Sequence, residues 1–164
     1  MKARKILFYV FSILALAIDV LIIVESFIGG NDSASQSFSL SEAFIDFIES
    51  FNPNVTLIPD REAFHAVIRK LVGHFLLFGG TGLFTTLALM MCDKFYNKFR
   101  WKILLFSAGF GLSLALISEF IQYFVPGRYG VLTDVFIDFG GYLLFLGLGY
   151  LITYLIFKNH RKEQ

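Results

Sequence analysis

Four long apolar stretches decide what this chain can fold into: residues 6–24, 71–92, 103–125 and 135–157. The hydrocarbon core of a bilayer takes about 20 mostly apolar residues per helix. In lipid, every backbone polar group must bond within its own segment, so such stretches are helices. A water-soluble fold of this size could not hide them. The chain has 164 residues, of which 56% are hydrophobic and only 16% charged, and 21 are Phe. The expectation is an all-α fold. It is a polytopic membrane protein with four transmembrane helices and a short amphipathic helix in the outer loop between helices 1 and 2, forming a single domain over residues 1–164.

The first stretch resembles a secretory leader in its basic start, Lys2, Arg4 and Lys5, and in Ala15-Leu16-Ala17. The apolar run nevertheless continues through Val20, Leu21, Ile22, Ile23 and Val24. Cleavage would leave a greasy stub, so an uncleaved first helix is expected. The net charge of +1 removes any electrostatic basis for a nucleic-acid partner. A single cysteine, Cys92, excludes an internal disulfide framework and a cysteine metal cage.

Lys and Arg concentrate on the cytoplasmic side of membrane proteins. Ten of the fourteen lie before helix 1, between helices 2 and 3, or after helix 4. These are Lys2, Arg4 and Lys5, then Lys94, Lys98, Arg100 and Lys102, then Lys158, Arg161 and Lys162. The other side carries Arg61, Arg69, Lys70 and Arg128. Both termini are therefore expected in the cytoplasm. Tyr96 and Trp101 fall where an interfacial aromatic belt would lie.

Residues 25–69 are the one long connection. Gly29, Gly30, Asn31, Asp32 and Ser33 suggest a flexible stretch. Ser39-Leu40-Ser41-Glu42 offers a capping box for a short helix. In that helix Leu40, Phe44, Phe47, Ile48 and Phe51 recur every three or four residues, opposite Glu42, Asp46 and Glu49. An acidic face does not favour anionic headgroups, so the segment is expected to pack on protein as a lid or gate. Asn52-Pro53 would end it, and Asp60 would cap a helix leading into the second span. Asn54-Val55-Thr56 matches a glycosylation sequon, which only a eukaryotic secretory route would make meaningful, and it is discounted.

Ionisable groups inside a membrane are costly and point to function. Here they are Asp19, His74, Glu119 and Asp138, with Lys70 and Asp134 at the margin and Ser118 and Gln122 beside Glu119. Counting turns from each helix end places all but Asp19 in one layer of the outer half. Ser107, Gly111, Ala115 and Glu119 recur every four residues, a small-residue stripe that lets membrane helices approach. Glu119 therefore faces the bundle. Asp19, alone on its helix with Ser12 and Ala15, suits helix packing instead. No His/Cys/carboxylate spacing matches a common ligand set, so no metal or cofactor is expected. A cation held by Glu119, Asp134 and Asp138 has no support in the spacing.

Ser118-Glu119-Phe120-Ile121-Gln122, Arg128 in the following turn, then Asp134, Asp138 and Gly141, preceded by Lys70, His74 and Phe75, resemble the signature of VanZ-like membrane proteins. The resemblance covers residues 69–151. Two positions depart from the pattern: Asp138 where the family usually has Asn, and Phe78 where it often has Tyr. The founding member of that family is associated with reduced susceptibility to teicoplanin, so the resemblance implies the bacterial cell envelope more firmly than a reaction.

Two functions follow as expectations. The first is a non-enzymatic protein that binds an amphiphile at the outer leaflet, a lipoglycopeptide or a lipid-linked cell-wall precursor, among membrane lipids. Its ligand-binding residues would be Lys70, His74, Glu119, Gln122, Arg128, Asp134 and Asp138. The second is a membrane-embedded enzyme on a lipid-linked substrate, with Glu119 and His74 as acid and base. A transporter ranks last, because four helices are few for alternating access and no internal repeat is visible.

Overall fold

In the computed structural model, residues 2–51, 58, 60–92 and 101–162 are described, side chains to residue 156. All regular structure among them is helical. We label the helices α1 (Lys2–Ser26), α2 (Gly30–Glu49), α3 (Arg61–Ile68), α4 (Leu77–Met91), α5 (Trp101–Tyr123) and α6 (Leu132–Lys162), with a π-helical segment, Arg69–Leu76, joining α3 to α4. Among the described residues, four continuous helices are long and apolar enough to cross a membrane: Lys2–Ser26, Arg61–Met91, Trp101–Tyr123 and Leu132–Ile156. The Asn52-Pro53 stop, the Asn54 sequon, the Lys94, Lys98 and Arg100 cations, and Tyr96 lie outside the described residues. So do the side chains of Lys158, Arg161 and Lys162.

α4 is the central helix, packed on α6 and α1, while α5 packs chiefly on α6. Apolar burial supplies little drive between helices already in lipid, so close van der Waals fit has to hold them. Small residues provide that fit. A Cβ on Gly82 would stand 2.4 Å from the Tyr142 carbonyl oxygen, and one on Gly141 would stand 2.2 Å from that of Phe75. The α5 stripe behaves as its spacing requires, with Ser107, Gly111, Ala115 and Glu119 all buried. Ser107 meets the fully buried Tyr142 hydroxyl at 2.8 Å. Outward faces carry Ile13, Leu105, Phe106, Phe120 and Phe136, all exposed. In water such a surface would be an aggregation hazard; in a bilayer it is solvated by lipid tails.

The outer connection differs from its expectation. No flexible stretch or capping box occurs there: α2 starts at Gly30 and Ser39 lies inside it. Ser37, Ser39 and Ser41 return their hydroxyls to carbonyls four residues back, so the helix itself satisfies them. Its first turn is anchored by tertiary contact, with the Gly30 N–H donating to the Pro126 carbonyl at 3.1 Å. Gly127 turns there at φ +75°, and a Cβ on Gly30 would lie 1.9 Å from the Gly127 oxygen. Only glycine fits that crossing.

The acidic edge of α2 packs on protein as expected. Arg61 bridges Glu42 at 2.9 Å and Glu49 at 3.1 Å, and His65 Nε2 stands 3.2 Å from Glu42. His65 Nδ1 also meets the Ser41 hydroxyl. Ser41 is fully buried, so this Ser-His-Glu arrangement fastens two helices and offers no accessible nucleophile. The apolar stripe behaves otherwise: Phe44, Phe47 and Phe51 are exposed, so it is the aromatic face that protein leaves uncovered. Asp60 caps α3 by accepting from the Ala63 N–H at 2.9 Å, as its sequence position suggests.

Candidate functional site

Three helices bring one cluster together. Lys70 and His74 come from the π-helical segment, Glu119 from α5, and Asp134 and Asp138 from successive turns of α6. Lys70 Nζ lies 2.7 Å from Asp134 Oδ1, and His74 Nδ1 lies 3.0 Å from Asp138 Oδ1 and 3.9 Å from Glu119 Oε1. Asp138 is completely buried, Glu119 is 5% exposed and His74 8%. Glu119 Oε2 accepts from the Val131 N–H at 3.0 Å, which ties α5 to the start of α6. Glu119 Oε1 and Asp138 Oδ2 are buried without a hydrogen-bond partner. Buried polar atoms are rarely left so, and each asks for an explanation.

Gln122 and Arg128 lie beside the cluster. Gln122 donates to Ser118 Oγ at 3.3 Å, and Ser118 shares a 2.9 Å hydrogen bond with Ser26 of α1. Arg128 directs Nη1 to the carbonyls of Glu25 at 3.0 Å and Ile28 at 3.4 Å, covering the free end of α1. Burial pulls its guanidinium below the ordinary arginine pKa, and Glu119 opposes that shift. Asp19 sits apart, accepting from the Thr81 hydroxyl of α4, in keeping with a packing role.

Two adjoining clefts open on these residues. The first, of about 200 Å³, lies between α1, α2 and the second span. Leu21, Ile22, Leu40, Val72, Leu77 and Phe78 give it apolar walls, and His74, Gln122, Arg69, Arg128 and Glu25 give it polar groups. The second, about 240 Å³, is bordered by Arg69, Lys70, His74, Gln122, Arg128 and Asp134. The sequence-based set thus converges, except that Lys70 is already paired with Asp134 and Arg128 partly committed to α1. Arg69, absent from that set, borders both clefts and is exposed. Arg69 and His74 are five residues apart, which separates them on an α-helix, and the wider turn of a π-helix brings them closer to one face. No sequence pattern marks that change of pitch.

Fold and cluster together define a class: a polytopic helical membrane protein with a buried polar cluster opening on a cleft between its helices. The chain belongs to the VanZ/LLP1 family, whose model matches residues 7–157. The match reaches beyond residues 69–151 to include α1 and α2, the two helices that wall the first cleft. No curated protein and no solved structure matches the chain.

Proposed function

We propose that this chain is a bacterial plasma-membrane protein with both termini in the cytoplasm, and that it binds the anionic headgroup of an amphiphile at the outer leaflet. The observation that carries this is the composition of the first cleft, whose apolar walls meet His74, Gln122 and two guanidinium groups, Arg69 and Arg128, against a single carboxylate, Glu25. Ligand sites are mostly apolar with a few convergent polar groups, and guanidinium pairs well with phosphate or carboxylate. At about 200 Å³ the cleft is smaller than the roughly 300–1,000 Å³ typical of drug-sized sites. It suits a headgroup and the start of a lipid chain better than a whole lipoglycopeptide. A lipid-linked cell-wall precursor is therefore the favoured ligand, and reduced susceptibility to teicoplanin would be a downstream result.

The test is saturable binding of a polyprenyl-diphosphate-linked precursor by the purified protein in nanodiscs, with Arg69→Ala and Gln122→Leu expected to weaken it. Binding equal to that of bulk anionic phospholipid, and unchanged in both variants, would refute the proposal. A second reading has one observation in its favour. The 3.0 Å His74–Asp138 contact beside the unpartnered Glu119 Oε1 is a workable acid–base group. In that reading the protein is a membrane-embedded enzyme, with His74 and Glu119 acting on the bound precursor. Incubation with labelled precursor and analysis of the products separates the two.

A further inference from the structure

The buried cluster has the donors of a metal site. One ligand atom each from His74, Glu119 and Asp134 lies within 4.8 Å of the others. Three helices supply them, so spacing along the chain could not reveal the set. A second observation points the same way: Glu119 is 5% exposed and its Oε1, the oxygen on the His74 side, has no partner. Within ion-pairing distance the cluster holds three carboxylates, Glu119, Asp134 and Asp138, and one ammonium, Lys70. With a neutral imidazole and all three carboxylates ionised, these ion pairs leave two negative charges, which Arg128 nearby offsets only in part and a divalent cation would match. Asp138 Oδ1 stands 3.0 Å from His74 Nδ1, the same ring nitrogen that faces Glu119, so it adds a third carboxylate on that side of the imidazole.

We propose that His74, Glu119 and Asp134 bind a divalent transition-metal ion, with Lys70 competing for Asp134. One imidazole and two carboxylates suit zinc or manganese, and three protein ligands leave coordination positions open toward the polar cleft. The inference stands on the cluster and is independent of the amphiphile reading.

The experiment titrates Zn²⁺ and Mn²⁺ separately into the full chain in detergent, by calorimetry and by metal content after desalting. About one equivalent of one of these ions per chain is expected. Glu119→Gln and Asp134→Asn should each lower affinity at least about tenfold, no less than the loss of an outer-sphere partner would. Lys70→Met should raise affinity, because it frees Asp134 while removing a positive charge. That gain of binding cannot come from misfolding, so it keeps the test decisive if a ligand variant is unstable. No saturable binding by the unaltered protein, or affinity unmoved by Glu119→Gln, Asp134→Asn and Lys70→Met alike, overturns the proposal.

Discussion

Lys70 Nζ reaches Asp134 Oδ1 at 2.7 Å, joining the π-helical segment to the first turn of the last membrane helix. The Lys70 side chain is 41% exposed and that of Asp134 13%. Water still screens this pair, so it locates the two helices more than it stabilises them. A double-mutant cycle with Lys70→Met and Asp134→Asn should give a coupling of about 0.5–1 kcal/mol, typical of partly exposed pairs. A coupling several times larger, read from unfolding in mixed detergent, would mean the pair is effectively dry.

The His74–Asp138 contact should behave differently, because both side chains are buried. Asp138→Asn keeps an acceptor for the ring N–H while removing the charge. It should shift stability by less than about 1 kcal/mol, whereas Asp138→Leu strands a buried donor and should cost about 1–3 kcal/mol. Equal losses in the two variants would show that the charge, and not the hydrogen bond, matters there.

Close packing between α4, α6 and the π-helical segment predicts a graded glycine series. Gly82→Ala and Gly141→Ala each drive a methyl group against a backbone carbonyl and should sharply reduce the yield of folded protein. Gly140→Ala and Gly147→Ala, with open space at the same distance, should leave the yield unchanged. Size-exclusion profiles of the four variants check this, and indistinguishable profiles would contradict the proposed packing.

The proposed orientation is open to chemical labelling. In a Cys92→Ala background, a cysteine introduced at Ser35, an exposed α2 position, should react from outside the cell with an impermeant maleimide. A cysteine at Lys102 should react only after permeabilisation. The reverse pattern would invert the topology and move the cluster to the inner leaflet.

The spans were legible because hydrophobic length is a property of the residues alone. Helix facing on α5 was legible as well, since Ser107, Gly111, Ala115 and Glu119 repeat every four residues and all are buried. The start of α2 was not. Gly30 and Ser33 favour turns by their own chemistry, and a carbonyl nearly a hundred residues away fixes the helix end. Arg69 was missed for a related reason. Its position beside His74 along the clefts depends on the wider turn and i→i+5 hydrogen bonds of the π-helical segment, and nothing in Arg69–Leu76 announces that. The cluster itself was half legible. Cost identified its members one by one, but their mutual distances depend on how three helices meet.

The crossing of Gly30 and Gly127 has a consequence for how such a sequence can vary. Contact there is main chain on main chain, so neither position has a side chain through which fit could be adjusted. A side chain at Gly30 must be answered by a shift of the whole Gly127 turn, which also carries Arg128, whereas Gly127 is held by its own φ of +75°. A homologue that replaces Gly30 should therefore be found to have rebuilt the opposite loop.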